Sequence, residues 1–120
     1  MSTKVLVVDD SMMVRTQVTR ILVGAGFEVT QACDGKDALA KLASAEAALI
    51  VCDVNMPNMS GIELLEELRV GQKNTVPFVM LTTEDQTEMV TRARSLGANG
   101  WLVKPLKPEI LLSTAKKLTT

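Results

Sequence analysis

Five short apolar runs, separated by segments with helical periodicity, constrain the fold of this 120-residue chain more than any other feature. The runs are Lys4–Val8, Phe27–Ala32, Ala48–Cys52, Phe78–Leu81 and Trp101–Val103. They are rich in β-branched residues and alternate little between apolar and polar residues, which indicates strands covered on both faces. Regular alternation of strands with helices predicts a parallel sheet between two helical layers, joined by right-handed crossovers.

The segments that follow the runs carry apolar residues three and four positions apart, as the buried stripe of a helix does. Members of the five stripes are Val14, Val18, Ile21, Leu22 and Ala25; Ala38, Leu39 and Leu42; Ile62, Leu65 and Leu68; Met89, Val90, Ala93 and Leu96; Leu111, Ala115 and Leu118. Five strand–helix units are too few for an eight-stranded barrel. The prediction is therefore an open, doubly wound α/β sheet with five helices, in a single domain covering residues 1–120.

Several residues mark where the predicted helices begin and end. Ser60–Glu63 and Thr83–Gln86 both read as capping boxes, with Ser or Thr followed three residues later by Glu or Gln. Gly26 is placed to end the first helix, and Pro108 falls in the first turn of the last one. These signals support helices at the predicted positions.

Charge and hydropathy exclude several classes of function. The chain has 13 basic and 14 acidic residues, a net charge of -1, whereas nucleic-acid-binding domains usually carry a basic excess. Direct binding to DNA or RNA is therefore not expected. The N-terminal MSTKVLVVDD reaches acidic residues too early for a signal peptide, and no apolar run could span a membrane. A cytoplasmic location is the default expectation.

The absence of histidine limits the available chemistry further. It excludes triads that use histidine as the base, His-ligated metals, and a role as phosphohistidine donor. Cys33 and Cys52 are too few and too far apart for a zinc site, and we expect Cys52 to be core packing. Chemistry must come from carboxylates, hydroxyls and lysines, with or without a hard metal ion.

Chemically capable residues follow four of the five predicted strands. They are Asp9–Asp10, Asp53, Thr82 and Lys104–Pro105. The carboxyl ends of parallel strands meet at one edge of the sheet, which is where ligands bind in such folds. The sequence therefore predicts a site at this edge.

Each of these residues also has a structural alternative. Asp10 or Ser11 could cap the first helix, Asp53 could simply end its strand, and Lys104 could be a solvated surface lysine. Independent structural causes would not favour the same sheet edge four times. This coincidence favours the functional interpretation.

Electrostatics indicates what such a site would bind. Adjacent strands lie about 4.8 Å apart, so Asp9, Asp10 and Asp53 would crowd together if the first and third strands are neighbours. Either a pKa then rises or a cation lies among them, and a few hard oxygen ligands suit Mg²⁺. The stem of Lys104 is long enough to reach the cluster, and Thr82 supplies a hydroxyl. Together these groups would receive a phosphoryl group beside a carboxylate nucleophile.

Four segments resemble a known family over the whole chain: VLVVDDS, DVNMPNMSG, VMLTTE and GANGWLVKP. The chain is similar to the receiver domains of two-component response regulators, of the stand-alone chemotaxis (CheY-like) type. The resemblance implies the strand order 2-1-3-4-5. It also implies that Asp53 accepts a phosphoryl group from the phosphohistidine of a sensor kinase or from a small phosphodonor.

The resemblance further implies a role for each matching residue. The side chains of Asp10 and Asp53 and the backbone carbonyl of Asn55 would bind Mg²⁺, with Asp9 acting mainly through water. Lys104 would contact the phosphoryl oxygens, and its bond to the following proline would be cis. Asn55 and Glu84 would tune hydrolysis of the acyl phosphate and give a short-lived signal. Glu84 also has a structural interpretation, as an acid in the first turn of a helix.

The implied switch differs from the common family pattern at two positions. Thr82 would move toward the phosphoryl group and let the residue at position 101 turn inward. That residue is Trp101 where the family commonly has Tyr or Phe, and Leu106 stands where Phe is frequent. An indole is bulkier and its N–H needs a partner when buried. We therefore expect Trp101 to respond, but by a smaller movement.

The predicted function is that of a phospho-accepting response regulator, not a turnover enzyme, acting in chemotaxis as a monomer. Its partners would be a histidine kinase and a downstream target on the face formed by the fourth helix, fifth strand and fifth helix, for example a flagellar motor switch protein. A phosphorelay intermediate and a receiver cut from a longer transcriptional regulator are alternatives within the family.

Two alternatives lie outside the family. A phosphatase that forms an aspartyl phosphate typically has a second acid two residues beyond the nucleophile, and that position holds Asn55. A flavodoxin-like electron carrier would need aromatic residues around a flavin, but aromatics make up only 2% of the chain.

Overall fold

A computed structural model describes residues 3–83 and 87–120. In these residues five strands alternate with five helices, as predicted. The elements are β1 (Lys4–Val8), α1 (Met12–Gly24), β2 (Glu28–Ala32), α2 (Gly35–Ser44), β3 (Leu49–Asp53), α3 (Gly61–Glu66, continuing as a π-helical segment over Glu67–Gly71), β4 (Phe78–Thr82), α4 (Thr87–Ser95), β5 (Gly100–Val103) and α5 (Pro108–Thr119).

The strands form one parallel sheet in the order β2-β1-β3-β4-β5. This confirms both the doubly wound α/β architecture and the strand order that the family resemblance implied. The order reverses next to β1, between β1 and β3, so the carboxyl ends of those two strands border the crevice where such folds bind ligands.

Two separate cores hold the helices against the sheet. On one face, Val5, Val7 and Val51 pack against residues of α1 and α5, including Leu22 and Leu111. The other face packs against α2, α3 and α4 through a second set of buried residues, among them Leu6, Val8, Ile50, Cys52, Ala38, Leu65, Leu68 and Ala93. The central strands are therefore fixed from both sides.

Coverage of the strands matches the prediction in the middle of the sheet but not at its edges. Every residue of β3 and β4 is buried, and β1 is buried apart from Lys4. The edge strands β2 and β5 instead expose alternate residues, so the expectation of strands covered on both faces was wrong for them. An edge strand has a neighbour on one side only, which leaves part of its surface to solvent.

The helix ends follow most of the sequence signals. The capping box at Ser60 and Glu63 is present in both directions, and Pro108 opens α5. The first helix ends before Gly26, which has a positive φ of 96°. Ser11 caps α1 by accepting from the backbone N–H of Val14, so it is the cap and Asp10 is not. The second predicted capping box extends into residues 84–86, which lie outside the described residues.

The π-helical segment that ends α3 was not predicted. Its Arg69 donates to the backbone carbonyls of Asn74 and Gly97 and to the side chain of Asn99. The segment is thereby linked to the turn before β5, far from the carboxyl ends of the strands. In the described part of the chain, no helix has both the length and the apolar character that crossing a membrane requires.

Candidate functional site

The register between β1 and β3 brings two acidic residues side by side. Val8 is paired with Cys52 in the sheet, so the next residues along the two strands, Asp9 and Asp53, are neighbours. Asp53 is itself the last residue of β3, one position beyond the predicted strand. Its backbone is therefore held by the sheet, while its side chain lies where the carboxyl ends of the strands meet.

The other half of the sheet contributes a threonine and a lysine. Asp53 is paired with Leu81 of β4, which places Thr82 one residue further along. Thr82 is paired with Val103 of β5, and Lys104 follows directly. The backbone N–H of Lys104 donates to the carbonyl of Thr82 at 2.7 Å, which holds the end of β5 beside β4. All four predicted strand ends thus lie at one edge.

Asp9, Asp10 and Asp53 form a compact carboxylate cluster. One oxygen from each side chain can be chosen so that all three lie within 4.8 Å of one another. Asp9 and Asp53 are buried, with 0% and 8% of their surface exposed, whereas Asp10 is exposed. Oxygen ligands of this kind, open to solvent on one side, suit Mg²⁺, which keeps several of its waters when it binds.

Lys104 bridges the two buried carboxylates. Its Nζ lies 3.3 Å from Oδ2 of Asp9 and 3.2 Å from Oδ1 of Asp53. The prediction that this lysine can reach the cluster is therefore confirmed. Its partners are two carboxylates of the cluster itself. The peptide bond from Lys104 to Pro105 is cis, as the resemblance implied.

Burial and charge shift the pKa values of these groups. The pKa of Asp53 is raised by desolvation and, next, by the negative charge of Asp9, and these effects outweigh the attraction of Lys104. Desolvation likewise raises the pKa of Asp9. Burial lowers the pKa of Lys104, but Asp53 and Asp9 together outweigh this and the net pKa is raised. Crowded carboxylates thus have both a raised pKa and a cationic neighbour.

The backbone around Asp9 is held by contacts that sequence reasoning missed. Its carboxylate accepts from the N–H of Ser11 at 2.9 Å, and its own N–H donates to Ala32 at 3.1 Å. Its carbonyl accepts from Nη1 of Arg15 in α1. No motif marks Arg15, because the contact exists only once α1 folds back beside the end of β1.

The loop after β3 carries Asn55 and is held from the side of α2. Asn55 is exposed and lies two residues after Asp53 in the chain. Asn58, at a φ of 66°, donates to the side chain of Asp34 at 2.8 Å. Asn tolerates this left-handed conformation better than most residues. This link to Asp34 was not predicted either.

Gly61 allows the start of α3 to approach the end of β3 closely. A Cβ at this position would lie 2.2 Å from the backbone carbonyl oxygen of Asp53. Such a distance is far below van der Waals contact, and the neighbouring atom belongs to the backbone. Glycine is therefore required here by packing against the residue that carries the site.

The predicted switch residues are at different depths. Thr82 is buried, whereas Trp101 is 37% exposed on β5, and the guanidinium carbon of Arg94 lies 4.4 Å from the centre of its ring. Glu84 lies outside the described residues. A groove of about 290 Å³ begins beside the indole; its lining includes Trp101, Val103, Pro105, Leu106, Lys107 and Ile110.

Comparison with known proteins identifies the family. Residues 5–116 match the family model described as "Response regulator receiver domain". The chain belongs to the response-regulator receiver family. Like other receivers it is a signalling protein rather than a turnover enzyme, and receivers take their phosphoryl group from a histidine kinase.

Curated receivers of similar length resemble the chain throughout. It is 37% identical over 117 residues to chemotaxis protein CheY-3 of Vibrio cholerae, covering 96% of this chain and 90% of that protein. Identity to chemotaxis protein CheY of Pseudomonas aeruginosa is 35% over 117 residues, covering 96% and 94%.

Solved structures agree with this assignment. The chemotaxis response regulator CheY4 of Vibrio cholerae superposes with a TM-score of 0.89 at 44% identity, over 98% of this chain and 99% of that one. The receiver domain of NtrX from Brucella abortus gives a TM-score of 0.90 at 30% identity, over 96% and 97%. The fold is thus shared by receivers with different names, and the acidic cluster is typical of the receiver Mg²⁺ site.

Proposed function

We propose that this chain is a single receiver domain that accepts a phosphoryl group on Asp53. The observation that carries the proposal is the position of the Asp53 carboxylate. It lies at the end of a buried central strand, within 4.8 Å of two further carboxylates and 3.2 Å from the ammonium of Lys104. A nucleophile needs such a setting when the group it attacks is a dianionic phosphoryl group.

In the proposed reaction, a carboxylate oxygen of Asp53 attacks the phosphorus of a phosphohistidine. A new O–P bond forms while the P–N bond breaks, and the imidazole nitrogen leaves with the electron pair. Lys104 then exchanges its bond to Asp53 for one to a phosphoryl oxygen, and the hydroxyl of Thr82 donates to another. Thr82 ends β4, which is next to β3, and Lys104 follows β5, which is next to β4, so both side chains can reach the same group.

The ligands proposed for Mg²⁺ are the side chains of Asp10 and Asp53 and the backbone carbonyl of Asn55, with Asp9 acting mainly through water. When bound, Mg²⁺ would neutralise charge on the phosphoryl oxygens and on the carboxylates around them. The donor set fits the ion, because it consists of oxygen atoms and Asp10 is open to solvent. Buried Asp9 contacts Ser11 and Lys104, which agrees with an indirect role.

The proposed output is a change on the face formed by α4, β5 and α5. Movement of Thr82 toward the phosphoryl group would let Trp101 turn inward, although the larger indole limits how far it moves. The groove beside Trp101 would then present a different surface to a downstream protein. Asn55 and Glu84 are proposed to tune hydrolysis of the acyl phosphate and so keep the signal short.

Chemotaxis is the pathway that the relatives favour. Proteins from Vibrio cholerae and Pseudomonas aeruginosa that match nearly the whole chain are named chemotaxis proteins. We propose the same role here, as a monomer in the cytoplasm, with a flagellar motor switch protein as the downstream target. The second candidate is a phosphorelay intermediate or a receiver cut from a longer transcriptional regulator. It is kept because the chain also matches a longer protein, the NtrX chain of Brucella abortus, of which it covers 27%.

Intact mass spectrometry tests the acceptor residue. The protein is incubated with Mg²⁺ and a small acyl-phosphate donor, then with the donor and a chelator. A single phosphoryl adduct that requires Mg²⁺ is expected for the wild type and for Asp37→Asn, a matched control on α2. No adduct is expected for Asp53→Asn, and an adduct that survives this substitution would place the acceptor elsewhere.

A further inference from the structure

A side chain outside the carboxylate cluster contacts the peptide that carries two of its members. Nη1 of Arg15 donates to the backbone carbonyl of Asp9. That carbonyl belongs to the peptide linking Asp9 to Asp10. Because a peptide unit is planar, a bond that orients its carbonyl also orients the Cα atoms at both ends. The direction in which both carboxylates leave the backbone therefore depends on this contact.

The guanidinium is itself held in place by the edge strand. Nε of Arg15 donates to the side-chain oxygen of Gln31 in β2 at 3.3 Å. The amide nitrogen of Gln31 donates in turn to the hydroxyl of Thr19, one helical turn further along α1, at 3.0 Å. Arg15 is half-buried within these contacts. Its planar fork can serve two acceptors in fixed directions, which a lysine cannot do.

We infer that Arg15 is a positioning residue for the metal and phosphoryl site, acting through the Asp9–Asp10 peptide. The inference rests on the proposed function of Asp53 and assigns Arg15 no contact with the phosphoryl group. Mg²⁺ demands near-ideal octahedral geometry at about 2.0–2.1 Å. A rotation of the peptide that moves Asp10 by a few tenths of an ångström would then weaken binding. In comparable metal sites, loss of an outer hydrogen-bond partner lowers affinity by roughly 10- to 100-fold.

A purely structural role predicts something different. If Arg15 only fastens α1 to β2, then Thr19→Val should have the same effect, because it breaks the other bond between that helix and Gln31. If only local positive charge matters, then Arg20→Gln should also weaken Mg²⁺ binding, since Arg20 is an exposed arginine of the same helix. Both variants leave the bond from Arg15 to Asp9 intact.

Two measurements test the inference. The carbonyl ¹³C shift of Asp9, read through the amide of Asp10 in metal-free protein, should change in Arg15→Gln and change much less in Thr19→Val. Mg²⁺ affinity, measured by isothermal titration calorimetry, should fall roughly tenfold in Arg15→Gln. In Arg15→Lys, Mg²⁺ affinity should lie between that of the wild type and that of Arg15→Gln, because lysine keeps a single cationic donor group. This conservative variant guards against loss of the fold. Arg20→Gln should bind Mg²⁺ like the wild type, and Thr19→Val should lose much less affinity than Arg15→Gln, because it loosens Gln31 but keeps both partners of the Arg15–Asp9 bond.

The outcomes separate this inference from the proposed function. Unchanged Mg²⁺ affinity in both Arg15 variants, with a wild type that binds Mg²⁺ and is phosphorylated, would overturn the role of Arg15 alone. An equal loss in Thr19→Val would overturn it too, in favour of bracing between α1 and β2. A wild type that forms no Mg²⁺-dependent adduct would instead overturn the proposed function, while the ¹³C shift would still report on the Arg15–Asp9 contact.

Discussion

Nζ of Lys104 lies 3.2 Å from Oδ1 of Asp53, although 51 positions separate the two residues in sequence. The lysine therefore satisfies the carboxylate that we propose as the phosphoryl acceptor. It also contacts Asp9, which means that its charge competes with any cation for the same oxygens. Phosphorylation would replace one partner of the ammonium with another and leave it paired throughout.

Replacing this lysine should separate metal binding from phosphoryl transfer. In Lys104→Met, Mg²⁺ affinity should stay the same or increase, because the competing ammonium is gone. The rate of phosphoryl transfer should fall by roughly 100-fold, as when a donor to a developing negative charge is removed. Calorimetry with Mg²⁺ and the rate of adduct formation by intact mass at saturating Mg²⁺ measure the two effects.

The control for that experiment is Lys107→Met, which removes an exposed lysine at the N-cap of α5 that makes no side-chain capping bond. It should leave both quantities unchanged. A large loss of Mg²⁺ affinity in Lys104→Met would contradict competition, since it would mean that the lysine organises the carboxylates for the ion.

The raised pKa of Asp53 predicts a stability change with a definite sign. Since the folded state holds this proton more tightly than the unfolded state, the free energy of unfolding falls as pH rises from the ordinary aspartate pKa through the raised folded value. Asp53→Asn removes this penalty. Without Mg²⁺ it should be more stable than the wild type at neutral pH, and the difference should vanish at acid pH. Urea unfolding at both pH values measures it.

Asp37→Asn provides a control of opposite sign. The pKa of Asp37 is held below its ordinary value mainly by the hydrogen bond from the backbone N–H of Cys33, and to a smaller extent by Lys41. Its contribution to stability is present above the ordinary pKa and is lost as pH falls. Asp37→Asn should therefore be no more stable than the wild type at neutral pH. A gain in this variant as well would show that removing any acidic charge stabilises the protein.

The sheet could be predicted from the sequence because its central strands are buried on both faces and read as uninterrupted apolar runs. The two edge strands were also predicted, but their exposure to solvent was not. Exposure depends on whether a strand lies at the edge of the sheet, which only the strand order determines. The strand order came from family resemblance, because periodicity carries no information about which strands are neighbours. The π-helical segment at the end of α3 depends on contacts of Arg69 with distant residues, so local pattern could not reveal it.

The site could be predicted where its chemistry comes directly after a strand. Asp53 and Lys104 were found in this way, and their contact follows from the sheet register. Arg15, Asn58 and Gly61 were missed because each contacts a group that only tertiary folding brings near: the carbonyl of Asp9, the side chain of Asp34 and the carbonyl of Asp53. A carbonyl acceptor such as that of Asp9 leaves no trace in sequence, whatever residue carries it.

Gly61→Ala should damage the site through packing alone. Its Cβ would lie 2.2 Å from the carbonyl oxygen of Asp53, so the end of β3 or the start of α3 must move. Overpacking of this kind typically costs about 1–3 kcal/mol, and phosphorylation of Asp53 should slow as well. Urea unfolding and adduct formation measure these losses. Gly24→Ala is the matched control: a Cβ there meets nothing within 4 Å, and stability should be unchanged or slightly greater.

The contact between Arg94 and Trp101 should hold the indole outward. A cation over an exposed ring contributes about 0.5–1 kcal/mol, so Arg94→Gln should favour the inward position roughly two- to fivefold. Because Trp101 is the only tryptophan in the chain, acrylamide quenching of its fluorescence measures this directly. With Mg²⁺ and a beryllofluoride phosphoryl mimic, quenching should decrease more in Arg94→Gln than in the wild type or in Arg92→Gln, whose arginine pairs with Glu66 instead. Equal quenching in all three proteins would mean that Arg94 does not restrain the ring.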